Sequence, residues 1–195
     1  YRPRFLRLPA GRGAELSAEL NRVVEELLIA LPAAFETDAA ANRRQDLIHT
    51  FESRSQDLFE TVRTTVATDG IGLLQTPEGL TVAPLSVDGP MTREAFAALP
   101  EPDRVRLRDA LQRAEAVLET ATRSQRLLER EAADANATLD RDIAAKEVNH
   151  RIAELDDDFA ELPDVMTYLS KVRDDILDHL ELLRPPNGDG DESEG

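Results

Sequence analysis

Two stretches set an acidic residue three positions before a histidine: Glu147-Val-Asn-His150 and Asp46-Leu-Ile-His49. On a helix this spacing puts both side chains on one face, the arrangement by which carboxylate-bridged di-iron bundles hold metal. Such a centre needs two of these pairs plus two further carboxylates, all turned inward. The apolar stripe beside the first pair is Val148, Ile152 and Leu155. At about 100° per residue, His150 stands about 200° away from Val148, towards solvent. The pair therefore reads as a solvated helix face. Gly11-Arg-Gly13 is too short to cradle phosphate, and the Gly-x-x-x-x-Gly-Lys-Ser/Thr run of a P-loop does not occur. The two lysines, Lys146 and Lys171, fall in helical patterns with no Ser placed near them by a recognisable motif. His179 falls near the end of the last helical pattern, where a cation suits the helix dipole. With 39 Asp and Glu in 195 residues, neighbouring carboxylates are unavoidable and point to no particular acid–base chemistry. The absence of Cys removes disulfides, thiolate zinc sites and a Cys nucleophile together. No catalytic, cofactor-binding or metal-binding residue is assigned.

A net charge of −16 would be repelled by nucleic acid and by an anionic membrane, and neither is expected as a partner. No apolar run is long enough for a membrane span and no basic-then-apolar leader is present, so the expectation is a cytoplasmic protein. Tyr1-Arg-Pro-Arg-Phe-Leu6 reads like the middle of a connection, and Arg184-Pro-Pro-Asn-Gly-Asp-Gly-Asp-Glu-Ser-Glu-Gly195 reads as an acidic, disordered linker. Both ends look cut from a longer chain.

Any site must be positioned by helices. Leu16, Leu20, Val23, Leu27 and Leu31 form one stripe that Pro32 is expected to close. A second helix is predicted from about Thr37 to Asp69, capped by Thr37 or Asp38 and stopped by Gly70. Its stripe is Ile48, Phe51, Leu58 and Val62, flanked by Leu47, Phe59 and Val66. The period then shortens: residues 71–75 and 80–85 read as a small β-hairpin around Thr76-Pro-Glu-Gly79, ended by Asp88-Gly-Pro90. A short helix from about Thr92 to Leu99 follows. The longest element starts at Glu101-Pro102 and carries Leu107, Leu111, Ala114, Leu118, Ala121, Gln125, Leu128, Ala132, Ala135 and Leu139 as a heptad seam. The register slips near Ile143 and resumes through Val148, Ile152, Leu155, Phe159 and Leu162. Pro163 opens a last helix striped by Val165, Leu169, Val172, Ile176 and Leu180. A helix of about 55 residues is about 80 Å long, more than a globule this small can bury. The expected fold is mainly α: an elongated antiparallel helical hairpin or coiled-coil arm with packed flanking helices and a small β-hairpin. Residues 1–13 form an extended lead-in, 14–183 the helical domain with its hairpin at about 71–85, and 184–195 the linker.

Several pieces together resemble the helical region of Lon-like ATP-dependent proteases, the branch whose AAA module differs from that of the well-known bacterial Lon. They are Arg2-Pro-Arg-Phe-Leu-Arg-Leu-Pro-Ala-Gly-Arg-Gly13, Leu31-Pro-Ala-Ala-Phe-Glu36 and Leu74-Gln-Thr-Pro-Glu-Gly79 through Ala83-Pro-Leu85. Phe96-Ala-Ala-Leu-Pro100, Val148-Asn-His-Arg-Ile152 and Val165-Met-Thr-Tyr-Leu-Ser-Lys-Val-Arg-Asp-Asp-Ile176 follow in order. Asp88-Gly-Pro-Met91 is similar to the Asp-Gly-Pro-Ser stretch of that family's nucleophile, but Met91 stands where Ser is needed and a thioether cannot replace it. The resemblance implies a non-catalytic subdomain of the AAA module, with the phosphate-binding loop upstream and the Ser/Lys peptidase downstream. The fragment then holds no cofactor, and ATP with magnesium belongs to the parent. The implied parent is a hexameric, cytoplasmic serine endopeptidase whose partners are unfolded or damaged proteins. The segment would assist recognition or gating, with Leu73, Leu74, Leu80 and Val82 of the hairpin either as substrate contacts or as side chains that simply seal the base of the arm. The alternative is a stand-alone coiled-coil scaffold or GrpE-like cochaperone.

Overall fold

The computed structural model of the chain describes residues 5–77, 79–87 and 89–183. Residues 1–4 of the expected lead-in, the expected linker over 184–195, and Glu78 and Asp88 of the two expected turns lie outside them. Helices α1 (Arg12–Phe35), α2 (Asp38–Ala67), α3 (Arg93–Ala97), α4 (Glu101–Asp158) and α5 (Pro163–Asp178) dominate, with strands β1 (Ile71–Thr76), β2 (Gly79–Ser86) and β3 (Gly89–Pro90) between α2 and α3. The fold is mainly α with a small antiparallel sheet, as the periodicity predicts. The chain divides into two compact units, one of residues up to Gln45 together with those from Ala135 onward, the other of Asp46–Asp134. Each has its own core, and α2 and α4 contribute segments to both.

In the first unit α1 and α5 pack on the last third of α4. Leu16, Val23, Leu27 and Leu31 of α1 meet Ala144, Val148, Ile152 and Leu155 of α4, Phe159 just beyond it, and Val165 and Leu169 of α5. Each fully buried Leu, Ile or Phe contributes about 1.5–3 kcal/mol. The slip expected near Ile143 is visible here: Ile143 and Ala144 are both buried, and the stripe moves on to Val148. Arg12 pins the far end of the bundle. Its guanidinium lies 4.3 Å from the centre of the Phe159 ring, donates to the Asp158 carbonyl at 2.6 Å and pairs with Glu161 at 3.0 Å. Pro163 occupies the first turn of α5, where its missing N–H costs nothing.

Pro32 does not close α1. The helix runs on to Phe35, with Glu36 N–H reaching the Pro32 and Ala33 carbonyls. A proline this close to the helix end forfeits only the bond to Leu28, on the solvent side. The ending is supplied instead by Arg44, near the start of α2, which donates to the Phe35 carbonyl at 2.9 Å and to Asp140 Oδ1 at 2.9 Å. Thr37 is the cap of α2, accepting from Ala40 N–H at 3.2 Å.

In the second unit the remainder of α2 lies antiparallel against α4. Asp69 pairs with Arg113, Ser55 with Gln125, and Arg54 with Glu131, so rising positions on one helix meet falling positions on the other. Val62 and Val66 pack on Leu107, Ala110, Ala114 and Ala121, whose small side chains allow close approach. Ser55 donates to Gln125 Oε1 at 2.8 Å within this seam, a polar pair suited to fixing its register. The α2 stripe is not the expected one at its start: Ile48 is half-exposed, and the seam runs Leu47, Phe51, Ser55, Leu58, Val62 and Val66. Those steps of four, four, three, four and four follow the straighter eleven-residue period, which carries the seam past Ile48.

Gly70 (φ +77°) ends α2 and turns the chain into β1. The sheet has order β1-β2-β3, and β3 is an addition to the expected hairpin. Its two turns are alike. Thr76 Oγ1 donates to the Gly79 carbonyl and Ser86 Oγ to the Gly89 carbonyl, both at 2.9 Å, and both glycines have positive φ (+124° and +125°). A hydroxyl three positions before a glycine is thus the local signal for each return. α3 starts after Thr92, whose side chain caps Ala95 N–H, and is shorter than the predicted 92–99.

Candidate functional site

The structure does not bring the sequence-level candidates for chemistry together. His150 points outward, its side chain 74% exposed and 3.9 Å from Glu154, while Glu147 is held by Arg151 at 2.8 Å. His49, Lys146 and Lys171 are exposed on their helices. Met91 packs against the core of the second unit. Among the described residues no group of three or more His, Asp or Glu is placed to hold a metal ion, and no helix is long and apolar enough to cross a membrane. His179 caps the end of α5, its Nδ1 lying 2.9 Å from the Asp175 carbonyl. That hydrogen bond, reinforced by the Asp175 carboxylate, raises its pKa above the ordinary 6.5.

The hairpin is more informative. Directly opposed residues share a face of an antiparallel pair, and the register sets Leu73 opposite Val82 and Gln75 opposite Leu80. Leu73 and Val82 reach the core of the second unit. Leu74, opposite Thr81, is on the other face with Gly72. Gly72 leaves room there for Leu85: a Cβ at this position would lie 2.6 Å from Leu85 Cδ2, and the Leu85 side chain would have to shift. Of the four expected contact residues, Leu80 and Val82 fall together, while Leu73 is core and Leu74 faces away.

Leu80, Thr81 and Val82 line a groove of about 370 Å³ whose other wall is the flank of α4: Glu115, Leu118, Glu119, Thr122, Arg123 and Arg126. Leu80 is 38% exposed there. Hydrogen bonding in an antiparallel pair alternates. Leu85 N–H donates to the Gly70 carbonyl at 2.9 Å, so the pairs Gly72–Ala83, Leu74–Thr81 and Thr76–Gly79 exchange bonds across the hairpin. The N–H and C=O of Leu80 and Val82 therefore point away from β1. On that side β3 pairs only with Leu85 and Ser86, and Met91 N–H takes the Pro84 carbonyl at 2.8 Å. No described residue pairs with the main chain of Leu80 or Val82 on that edge. Among the described residues Arg123 pairs with Glu119 at 3.2 Å, whereas Arg126 and Glu115 form no ion pair. Beside the groove lie the two N–H donors and two carbonyl acceptors of that edge, three aliphatic side chains, and one charge of each sign without an ion pair among the described residues. The sequence signals the strands but not the α4 wall, because Leu118 reads there as one more seam residue and the shortness of β3 leaves no composition cue. The sequence matches no family model and no curated protein.

Proposed function

We propose that this chain is a non-catalytic helical subdomain of a Lon-like ATP-dependent protease, and that it takes hold of unfolded or damaged protein before the parent cuts it. The observation that carries this reading is the open main-chain edge of β2 beside the groove lined by Leu80, Val82 and Leu118. Main-chain groups recognise any extended polypeptide whatever its sequence, which is what a quality-control protease needs from a first contact. Order and spacing of the segments quoted above supply the family side of the proposal. The parent is then hexameric and cytoplasmic, with ATP and magnesium bound upstream and a Ser/Lys dyad downstream of this chain. The seam of α4 that a parallel dimeric scaffold or a GrpE-like exchange factor would need is already buried against α2, which weighs against that class.

The test compares the parent protease with and without residues 46–134, using an unfolded protein and a short peptide as substrates. Slower degradation of the unfolded protein with unchanged peptide cleavage is expected. Equal rates on the unfolded protein before and after the deletion would end the proposal.

A further inference from the structure

We infer that the free edge of β2 receives its polypeptide as an added β-strand: an extended segment with alternating apolar residues, bonded through the N–H and C=O of Leu80 and Val82. This deepens the capture reading above and rests on it. An apolar helix has no main-chain groups to offer, so it would not satisfy the four polar groups that β2 turns away from β1. An extended segment does satisfy them, at the spacing of about 3.3 Å per residue that β2 itself has. Its alternate side chains turn towards Leu80, Val82 and Leu118. Arg126 and Glu115 stand 11 positions apart on α4, about 16 Å along the helix. That separation matches an extended segment of about five residues. The favoured occupant therefore carries an acid at one end and a base at the other, flanking an apolar alternation.

Edge strands are ordinarily protected by charge, proline or a bulge. Pro84 serves that purpose on β2 only next to β3, where its carbonyl is used by Met91. The stretch Leu80-Thr81-Val82 carries no charge and no proline, and it is the part that borders the groove.

The probe is a labelled peptide of about eight residues, alternating Val and Thr between one Asp and one Lys, with blocked ends. Its binding to the whole chain is read by fluorescence anisotropy. A second peptide of identical side chains is N-methylated at alternate residues, in both phases, to remove main-chain donors. Two lost bonds weaken binding by about tenfold or more. Leu80→Pro removes one outward N–H without touching a β1–β2 bond and is expected to weaken binding similarly, while Leu80→Ala, which keeps the N–H, has the smaller effect. Arg126→Glu lowers affinity for the charged peptide but not for its uncharged version. Equal binding of methylated and unmethylated peptides on the unaltered protein would overturn strand addition. So would the absence of any binding, or a dimer in light scattering that Leu80→Pro dissolves, because the occupant would then be a second copy. The peptide assay uses this chain alone, so strand addition can fail while the deletion test still finds the parent dependent on the segment, and the reverse.

Discussion

Arg44→Ala removes a side chain that joins the end of α1, the start of α2 and the buried carboxylate of α4 in the first unit. Two hydrogen-bonded interactions are lost, together with a long cation–π contact at 5.8 Å from the centre of the Phe35 ring. The bond to the Phe35 carbonyl at 2.9 Å is charge-assisted and contributes about 1.5 kcal/mol. The bond to Asp140 at 2.9 Å neutralises a side chain only 12% exposed. Stripping the partner from a fully buried charge costs about 3–5 kcal/mol. Arg44 is 30% exposed and Asp140 has further contacts, so water and neighbours recover much of that, leaving about 1.5–2 kcal/mol. The sum is about 3 kcal/mol, or a fall in Tm of about 6–12 °C for a chain of this size. Thermal and urea unfolding followed by circular dichroism measure it. Arg44→Ala combined with Asp140→Asn should recover about 1–2 kcal/mol, since the carboxylate that faced Arg44 then carries no charge. If the double variant is no more stable than Arg44→Ala, the carboxylate is not what makes the single change costly, and the reasoning fails.

Three further outcomes follow from particular residues. Gly72→Ala drives a Cβ into Leu85 and should cost about 1 kcal/mol in urea unfolding, most of it relieved in Gly72→Ala with Leu85→Ala; an additive pair would show that the clash is not the cause. Pro32→Ala restores the α1 bond to Leu28 and should raise stability by about 1–2 kcal/mol; a loss would mean that Pro32 has a packing role. Because His179 has a raised pKa when folded, its charged form stabilises the protein fully below about pH 6.5, and that contribution disappears as pH rises through the folded value. His179→Gln should therefore lower Tm near pH 5 and leave it unchanged near pH 9; equal losses at both would assign the effect to packing.

Much of the fold is legible because burial in each helix follows one period. The stripes of α1 and α5, the Thr37 cap, the Gly70 stop and the Pro163 start each rest on a local rule that the structure keeps. The misreadings occur where a tertiary partner outweighs a local rule. Pro32 is overridden because Arg44, nine residues beyond Phe35, satisfies the end of the helix. Ile48 is displaced because polar Ser55 holds a seam position against Gln125, which no hydrophobic pattern marks. β3 is two residues long, too short for alternation to register. The groove is half legible: Leu80 and Val82 stand out as apolar residues of a short strand, but the unpaired edge depends on where β3 stops and on which flank of α4 lies opposite.

The proposed capture role is tested most directly by placing a photo-crosslinking amino acid at position 80 within the proposed Lon-like parent and irradiating it during degradation of an unfolded protein. A crosslink to the substrate that the N-methyl-sensitive peptide competes away is the predicted result. Degradation at full rate with no crosslink at position 80 would contradict it.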